Sequence, residues 1–199
     1  LYMANRKPFV PPTTVYRPHT VLRDLWEASK YLNLLKVLGP IQNVDHVNPE
    51  LSDARLYGQD YAVAVTLFSL PTFFLEAKLY EEAARAKIRP LLALHHEHRE
   101  DIRRGITYPI GSRPNGASWT GFQNHREEDD AGLLLLFREL ANDDDTQDIA
   151  LRFAAGKNVT FTDLLRDETW RREADDGGRV RFDMPKAPAF RFLAYRLTS

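Results

Sequence analysis

Residues 105–123, GITYPIGSRPNGASWTGFQ, decide how the rest of the chain is read. Gly105, Gly111, Gly116 and Gly121, interleaved with Pro109 and Pro114, mark a corner, since glycine and proline are the strongest local punctuators of chain direction. Ahead of this corner the sequence is helix-rich, and beyond it short β-rich runs follow one another. The corner therefore joins two kinds of architecture.

Working back from the corner, residues 71–105 predict one or two helices, with Pro71 near a first-turn position, Pro90 as an interruption and Gly105 as the stop. YAVAVTLFSL (61–70) is a near-continuous apolar run, the form taken by a strand buried on both faces of a parallel sheet, although it could also open the helix that follows. IQNVDHVN (41–48) predicts a short strand that leaves into a loop at Asn48-Pro49. TVLRDLWEASKYLNLLKVL (20–38) carries Val21, Leu22, Leu25, Trp26, Leu32, Leu35 and Leu38 at mostly helical spacing, with Gly39-Pro40 as a stop signal. The opening LYMA reads as a strand, and Pro8, Pro11, Pro12 and Pro18 enforce an extended loop after it. Strand and helix alternating in this way is the pattern of an α/β unit with a parallel sheet. Two such units do not close a fold, so the front half is expected to belong to a larger barrel or sheet.

Working forward, SWTGFQNH, GLLLLFREL, DIALRFAA, NVTFTDLL, RVRFDM and AFRFLAYRL are short strands separated by turn clusters at 142–145, 156–157 and 175–178. Apolar and polar residues alternate in Arg179-Val180-Arg181-Phe182 and from Phe190 to Arg196, so these strands have one dry face and one wet one. An antiparallel sandwich of about six to eight strands is the expectation.

Composition bounds the function. The 199 residues, 43% of them hydrophobic, are enough to bury a sizeable core. Lys+Arg of 27 against Asp+Glu of 28 leaves no basic field to recruit nucleic acid or an anionic membrane surface. Cysteine is absent, which removes disulfides, thiolate metal sites and cysteine nucleophiles together. No apolar run reaches membrane-spanning length, and LYMANRKPFVPP lacks the features of a signal peptide. Cytoplasmic and exported locations both stay open. The chain starts on Leu1, which suggests a beginning inside a longer reading frame.

Several stretches together carry a resemblance: Leu25-Trp26 to Ser29, Tyr61-Ala62, Leu70-Pro71, Tyr108-Pro109-Ile110-Gly111, Ser118-Trp119-Thr120-Gly121-Phe122-Gln123, Leu135-Leu136-Phe137-Arg138-Glu139 and Phe192-Leu193-Ala194-Tyr195-Arg196. They resemble the C-terminal region of α-galactosidase-like glycoside hydrolases, the retaining enzymes of glycoside hydrolase family 36 and their relatives. The most specific part is PIG…SWTGFQ…LLFRE. The resemblance implies an α/β plus all-β chain, in which residues 1–105 are the closing βα units of an incomplete (β/α)8 barrel and 106–199 are the C-terminal antiparallel β-sandwich. It also implies a carbohydrate substrate, no metal or organic cofactor, and two catalytic aspartates, one nucleophile and one acid/base. No Asp here stands in a recognisable nucleophile motif, so neither role is transferred, and the isolated segment is expected to be inactive. Its partner would then be the remaining portion of the barrel. A rival reading is a non-catalytic sandwich that binds carbohydrate or builds a homo-oligomer.

In a (β/α)8 barrel the chemistry gathers at the C-terminal ends of the strands. If LYMA, IQNVDHV and YAVAVTLFS are strands, Asn5, Arg6, Asn48 and Ser69 lie at that rim. Asn5, Arg6 and Asn48 are the candidate substrate-binding residues, weighed against an ion pair or cap for the first two and a turn role for Asn48. Asp45 and His46 would point to opposite faces of their strand, so at most one enters a pocket. His95, His96 and His98 read as a solvated helix face rather than a metal cluster, because neighbours i and i+1 on a helix diverge. Trp119 and Phe122 could stack on a sugar ring, with core packing the competing reading. Arg138-Glu139 reads as a cross-strand ion pair, and Asn158-Val159-Thr160 matches a glycosylation acceptor only in a secreted chain.

Overall fold

The computed structural model describes residues 2–3, 15–74 and 77–198, and for residues 2, 3 and 77 only the backbone. The chain divides into two compact units, Leu1–Glu97 and His98–Ser199.

The first unit is built on a three-stranded parallel sheet in the order β1-β2-β3, from β1 (Tyr2–Met3), β2 (Val37–Ile41) and β3 (Leu70–Phe73). Between β1 and β2 runs α1 (Pro18–Ala28), with Pro18 in its first turn and Val21, Leu22 and Leu25 fully buried. The helix stops ten residues short of the expected end at Leu38. Ser29 donates its hydroxyl back to the Trp26 carbonyl, and Asn33 caps a separate 3₁₀ turn, Leu34–Lys36, by accepting from the Leu35 amide at 3.0 Å.

β2 and β3 both differ from the sequence reading. β2 contains the Gly39-Pro40 pair that reads as a helix stop. Gly39 is needed there, since a Cβ would stand 2.8 Å from Thr66 Cβ. The expected strand at 41–48 is instead a 3₁₀ turn, Val44–His46, capped by Asn43. YAVAVTLFS is not a strand either. It contributes α3 (Gln59–Ala64), which follows α2 (Ala54–Tyr57), and then a turn leading to β3. Residues 61–69 are buried throughout, and a run dry on all sides carries no period to separate helix from strand.

After β3, α4 (Glu82–Arg104) runs unbroken through Pro90. Proline removes one helical hydrogen bond and costs about 3 kcal/mol. Burial of Ala84, Ile88, Leu91 and Ile102 along the helix offsets that cost, at about 1.5–3 kcal/mol for a fully buried large aliphatic side chain.

The second unit takes in the last turns of α4 and continues past the corner. β4 (Ile106–Gly111), β5 (Trp119–Arg126), β6 (Ala131–Arg138), β7 (Thr146–Ala150), β8 (Asn158–Asp163), β9 (Glu168–Glu173), β10 (Arg179–Asp183) and β11 (Ala189–Thr198) are all paired antiparallel. A six-stranded sheet in the order β4-β5-β6-β11-β8-β9 faces a two-stranded ribbon, β7-β10. Alternate residues of the large sheet, Leu134, Leu136, Val159, Phe161, Leu193, Tyr195 and Leu197, meet Ile149, Leu151, Val180, Phe182 and Met184 to form the core. The antiparallel sandwich expected from the sequence is present. β4 and β9 are strands that the sequence reading passed over, one holding Pro109 and the other five exposed residues in six. Both are sheet edges, where a missing N–H or a row of charges is tolerated.

The corner between β4 and β5 is held from outside its own sequence. Glu139, fully buried, accepts the amide hydrogens of Asn115, Gly116 and Ser118 on one carboxylate oxygen at 3.0, 2.9 and 2.9 Å. Its own amide donates to the Ser118 carbonyl, and Ala141 donates to that of Gly116. Arg138 donates to the Met184 and Asn142 carbonyls at 2.6 and 2.9 Å. The expected cross-strand ion pair at 138–139 is therefore replaced by two separate sets of bonds to backbone groups.

Candidate functional site

Parallel strands direct their C-terminal ends to one rim, so the residues just past Ile41 and Phe73 share it. Asn5 and Arg6 lie outside the described residues. Past β2 come Gln42 and Asn43, both about 99% buried. The Asn43 side chain accepts from the Asp45 amide and donates to the Leu79 carbonyl at 2.9 Å, which fixes the segment carrying Tyr80. Gln59, at the start of α3, bridges the chain as it leaves β2: its Nε2 donates to the Gln42 carbonyl at 3.1 Å and its Oε1 accepts from the Val44 amide at 3.1 Å. The Gln42 side-chain amide has no hydrogen-bond partner among the described residues. The same holds for the buried hydroxyls of Tyr16 and Tyr80. Burial pushes the Tyr80 phenol up to about 12; burial, reinforced by the neighbouring Tyr80, pushes Tyr16 up as well, so both stay neutral. Buried polar groups are normally paired, and among the described residues these three have no partner.

The other sequence candidates of the first unit fall elsewhere. Asn48 lies seven residues past β2, half-buried, with Oδ1 accepting from the Glu50 amide at 3.0 Å. Ser69 precedes β3 and so sits at the opposite end of the strand from the expected rim, buried, with its hydroxyl donating to the Thr66 carbonyl at 2.8 Å. Asp45 and His46 are exposed on the 3₁₀ turn rather than alternating along a strand. His95 Nδ1 is 2.8 Å from the Leu67 carbonyl, and His96 is exposed. Nearer the N-terminus, burial raises the Asp53 carboxyl, but hydrogen bonding and charge from His19 outweigh it and hold the group below its usual range. No group of three or more potential metal ligands occurs among the described residues.

In the second unit, Trp119 and Phe122 are 3% and 1% exposed, so neither presents a face to a sugar. Trp119 donates its indole N–H to the Asp144 carbonyl at 2.8 Å. His98 lies 3.5 Å from Asp101 and edge-on to Phe192. Asn158 is half-buried at the first position of β8. The sequence reading missed a polar cluster at one end of the sandwich. Gln123 donates to the Tyr195 hydroxyl at 2.8 Å, and His125 Nδ1 lies 2.8 Å from that same oxygen. Gln123 also clamps Arg152, donating to its carbonyl at 3.1 Å and accepting from its amide at 2.8 Å. Burial pulls the His125 imidazole below its ordinary value against the opposing charges of Asp130 and Glu127. The one signal in the sequence was QNH in a strand, where alternation turns Gln123 and His125 to the same side.

In class, the chain is an α/β unit on a parallel sheet followed by an antiparallel β-sandwich, with no helix of the described residues long and apolar enough to cross a membrane. Among solved structures, GH36 α-galactosidases share this fold. The galactosidase domain of the α-galactosidase-sucrose kinase AgaSK matches with a TM-score of 0.68 at 13% identity, over 91% of this chain and 25% of that one. The GH36 α-galactosidase AgaA of Geobacillus stearothermophilus matches at 0.68 and 12% identity, over 91% of this chain and 24% of that one. The α-galactosidase of Lactobacillus brevis matches at 0.66 and 11% identity, over 92% and 25%. The chain thus spans about a quarter of the length of the structures it matches, and the likeness is one of fold. No protein-family model and no curated protein matches the sequence.

Proposed function

We propose that the chain is the C-terminal portion of a retaining, α-galactosidase-like glycoside hydrolase acting on terminal glycosides. Residues 1–105 supply the closing βα units of its (β/α)8 barrel, 106–199 supply the sandwich, and both catalytic aspartates lie outside this chain. The observation that carries this reading is the open edge of the parallel sheet. Among the described residues β3 is paired on one side only, and Leu70, Phe73, Phe74 and Leu79 around it are each more than a third exposed. A groove of about 530 Å³ lies alongside, lined by Phe73, Tyr80, Ile88 and Leu92 together with the basic Lys78, Arg85 and Arg89. Parallel sheets are normally covered and edges paired or blunted, so an apolar parallel edge calls for further strands. Asn5, Arg6 and Asn48 are the proposed substrate contacts. No metal or organic cofactor enters this reaction. The buried positions of Trp119 and Phe122 count against the rival reading in which they stack on a sugar.

The experiment is an assay of the 199-residue chain beside the full-length protein on p-nitrophenyl α-galactoside. The full-length protein is expected to release product with retained anomeric configuration, and the chain alone to release none. Turnover by the chain alone overturns the assignment of the aspartates; a full-length protein inert towards α-galactosides overturns the activity.

A further inference from the structure

Beyond the polar cluster of the sandwich, Asp130, Phe153 and Asp167 take a left-handed backbone, and Phe153 is the bulky residue among them. Phe153 has φ of 65°, a left-handed backbone that is a true outlier for a bulky side chain. The conformation is enforced from the adjacent residue, because Gln123 binds both the amide and the carbonyl of Arg152. The result is an aromatic ring 44% exposed that lies flat on His125, with centroids 4.4 Å apart and planes 18° from parallel. Tyr108 meets Phe153 at 6.0 Å and 62°, and the Arg152 guanidinium lies 4.5 Å above the Tyr108 ring. Beside this platform runs a groove of about 510 Å³ lined by Pro109, Gly111, Arg152, Phe153, Asp176 and Gly177. That volume falls within the roughly 300–1,000 Å³ of small-molecule sites, and an aromatic wall with a few convergent polar groups is their usual lining.

We infer that this groove is a non-catalytic binding site for a pyranose unit of a neutral oligosaccharide. The ring of Phe153 offers a flat apolar face for the C–H face of the sugar, and Arg152 and Asp176 offer a donor fork and an acceptor for its hydroxyls. One cation and one carboxylate line the groove, so their fields oppose each other and favour an uncharged polyol over an anionic or cationic ligand. The inference rests on the carbohydrate reading above only for the choice of probe, and it needs no catalytic aspartate.

The test is a titration of the chain with raffinose, followed through the amide resonances of Arg152, Phe153 and Gly177. Saturable shifts confined to this groove are expected. Phe153→Gly, which relieves the left-handed strain while removing the ring, is expected to weaken binding about tenfold, as is Asp176→Asn, tenfold corresponding to about 1.4 kcal/mol. Absence of shifts, an equal response to glycerol, or undiminished binding by Phe153→Gly overturns the site. Binding here by a protein whose full-length form hydrolyses no galactoside supports this inference and sinks the catalytic one, so the two fail separately.

Discussion

Replacing Glu139 tests whether the corner at 111–118 is held by a buried carboxylate. In Glu139→Ala three amide hydrogens lose one acceptor at once. Their losses do not add, because a single oxygen serves all three and because Asn115 is exposed and Gly116 half-buried, so water can reach those amides. Ser118 is the donor left stranded, in a residue only 6% exposed. A hydrogen bond to a charged acceptor contributes about 1.5–3 kcal/mol and a stranded buried donor costs about 1–3, so a destabilisation of about 2–4 kcal/mol follows for the second unit. For a unit of this size that is a fall in its melting temperature of about 10–25 °C. Glu139→Gln keeps an oxygen in place and loses only the charge, so it should cost about 1 kcal/mol. Calorimetry on the two variants gives the magnitudes. Amide exchange supplies the local readout, with Gly116 and Ser118 accelerated in both and the Phe161 amide unchanged in Glu139→Gln. A cost below 1 kcal/mol for Glu139→Ala, or equal costs for Ala and Gln, would refute the reasoning.

Two further outcomes follow from the sandwich. His125 has its pKa depressed by burial, so the unfolded chain takes up a proton at higher pH than the folded one, and the stability it contributes is present above the ordinary histidine pKa of about 6.5 and is lost as pH falls through the folded value. Urea midpoints of the second unit should fall between about pH 7.5 and 5, and His125→Gln should flatten that slope; an unchanged slope would show that other groups control it. Gly111 adopts φ of 68° with Thr120 Cα 2.9 Å from where a Cβ would lie, so Gly111→Ala should destabilise by about 1–3 kcal/mol by equilibrium unfolding, and a neutral effect would mean that the β4–β5 turn relaxes freely.

Where one face of a strand is wet, the sequence declares it. Phe161, Val180 and Phe182 alternate with polar neighbours and fall in the core as alternation requires. The front half lacks that contrast. Thr66 and its neighbours pack so closely on β2 that only glycine fits at 39, which puts a residue resembling a helix stop inside a strand. Pro40 adds to the disguise, and YAVAVTLF is dry on every side, so its helix leaves no trace in the pattern. Each misreading has the same origin: contacts between distant segments override local signals when burial is complete.

That displacement decides what could be foreseen of the candidate sites. Shifting β2 from 41–48 to Val37–Ile41 moves the strand end from Asn48 to Gln42, and the groups that arrive there are amides and phenols that no catalytic motif flags. The sandwich cluster is invisible for a different reason. Gln123, His125 and Tyr195 meet across about 70 positions of sequence, and what brings them together is the register of β5 and β11 on opposite sides of β6. A strand register is set by the whole hydrophobic pattern, so the partners of a polar residue follow from positions far from it. The corner at 105–123 shows both limits together. Its glycines and prolines announce a turn to anyone reading along the chain, whereas the carboxylate that fixes the turn comes from β6's far end and could be found only by folding it.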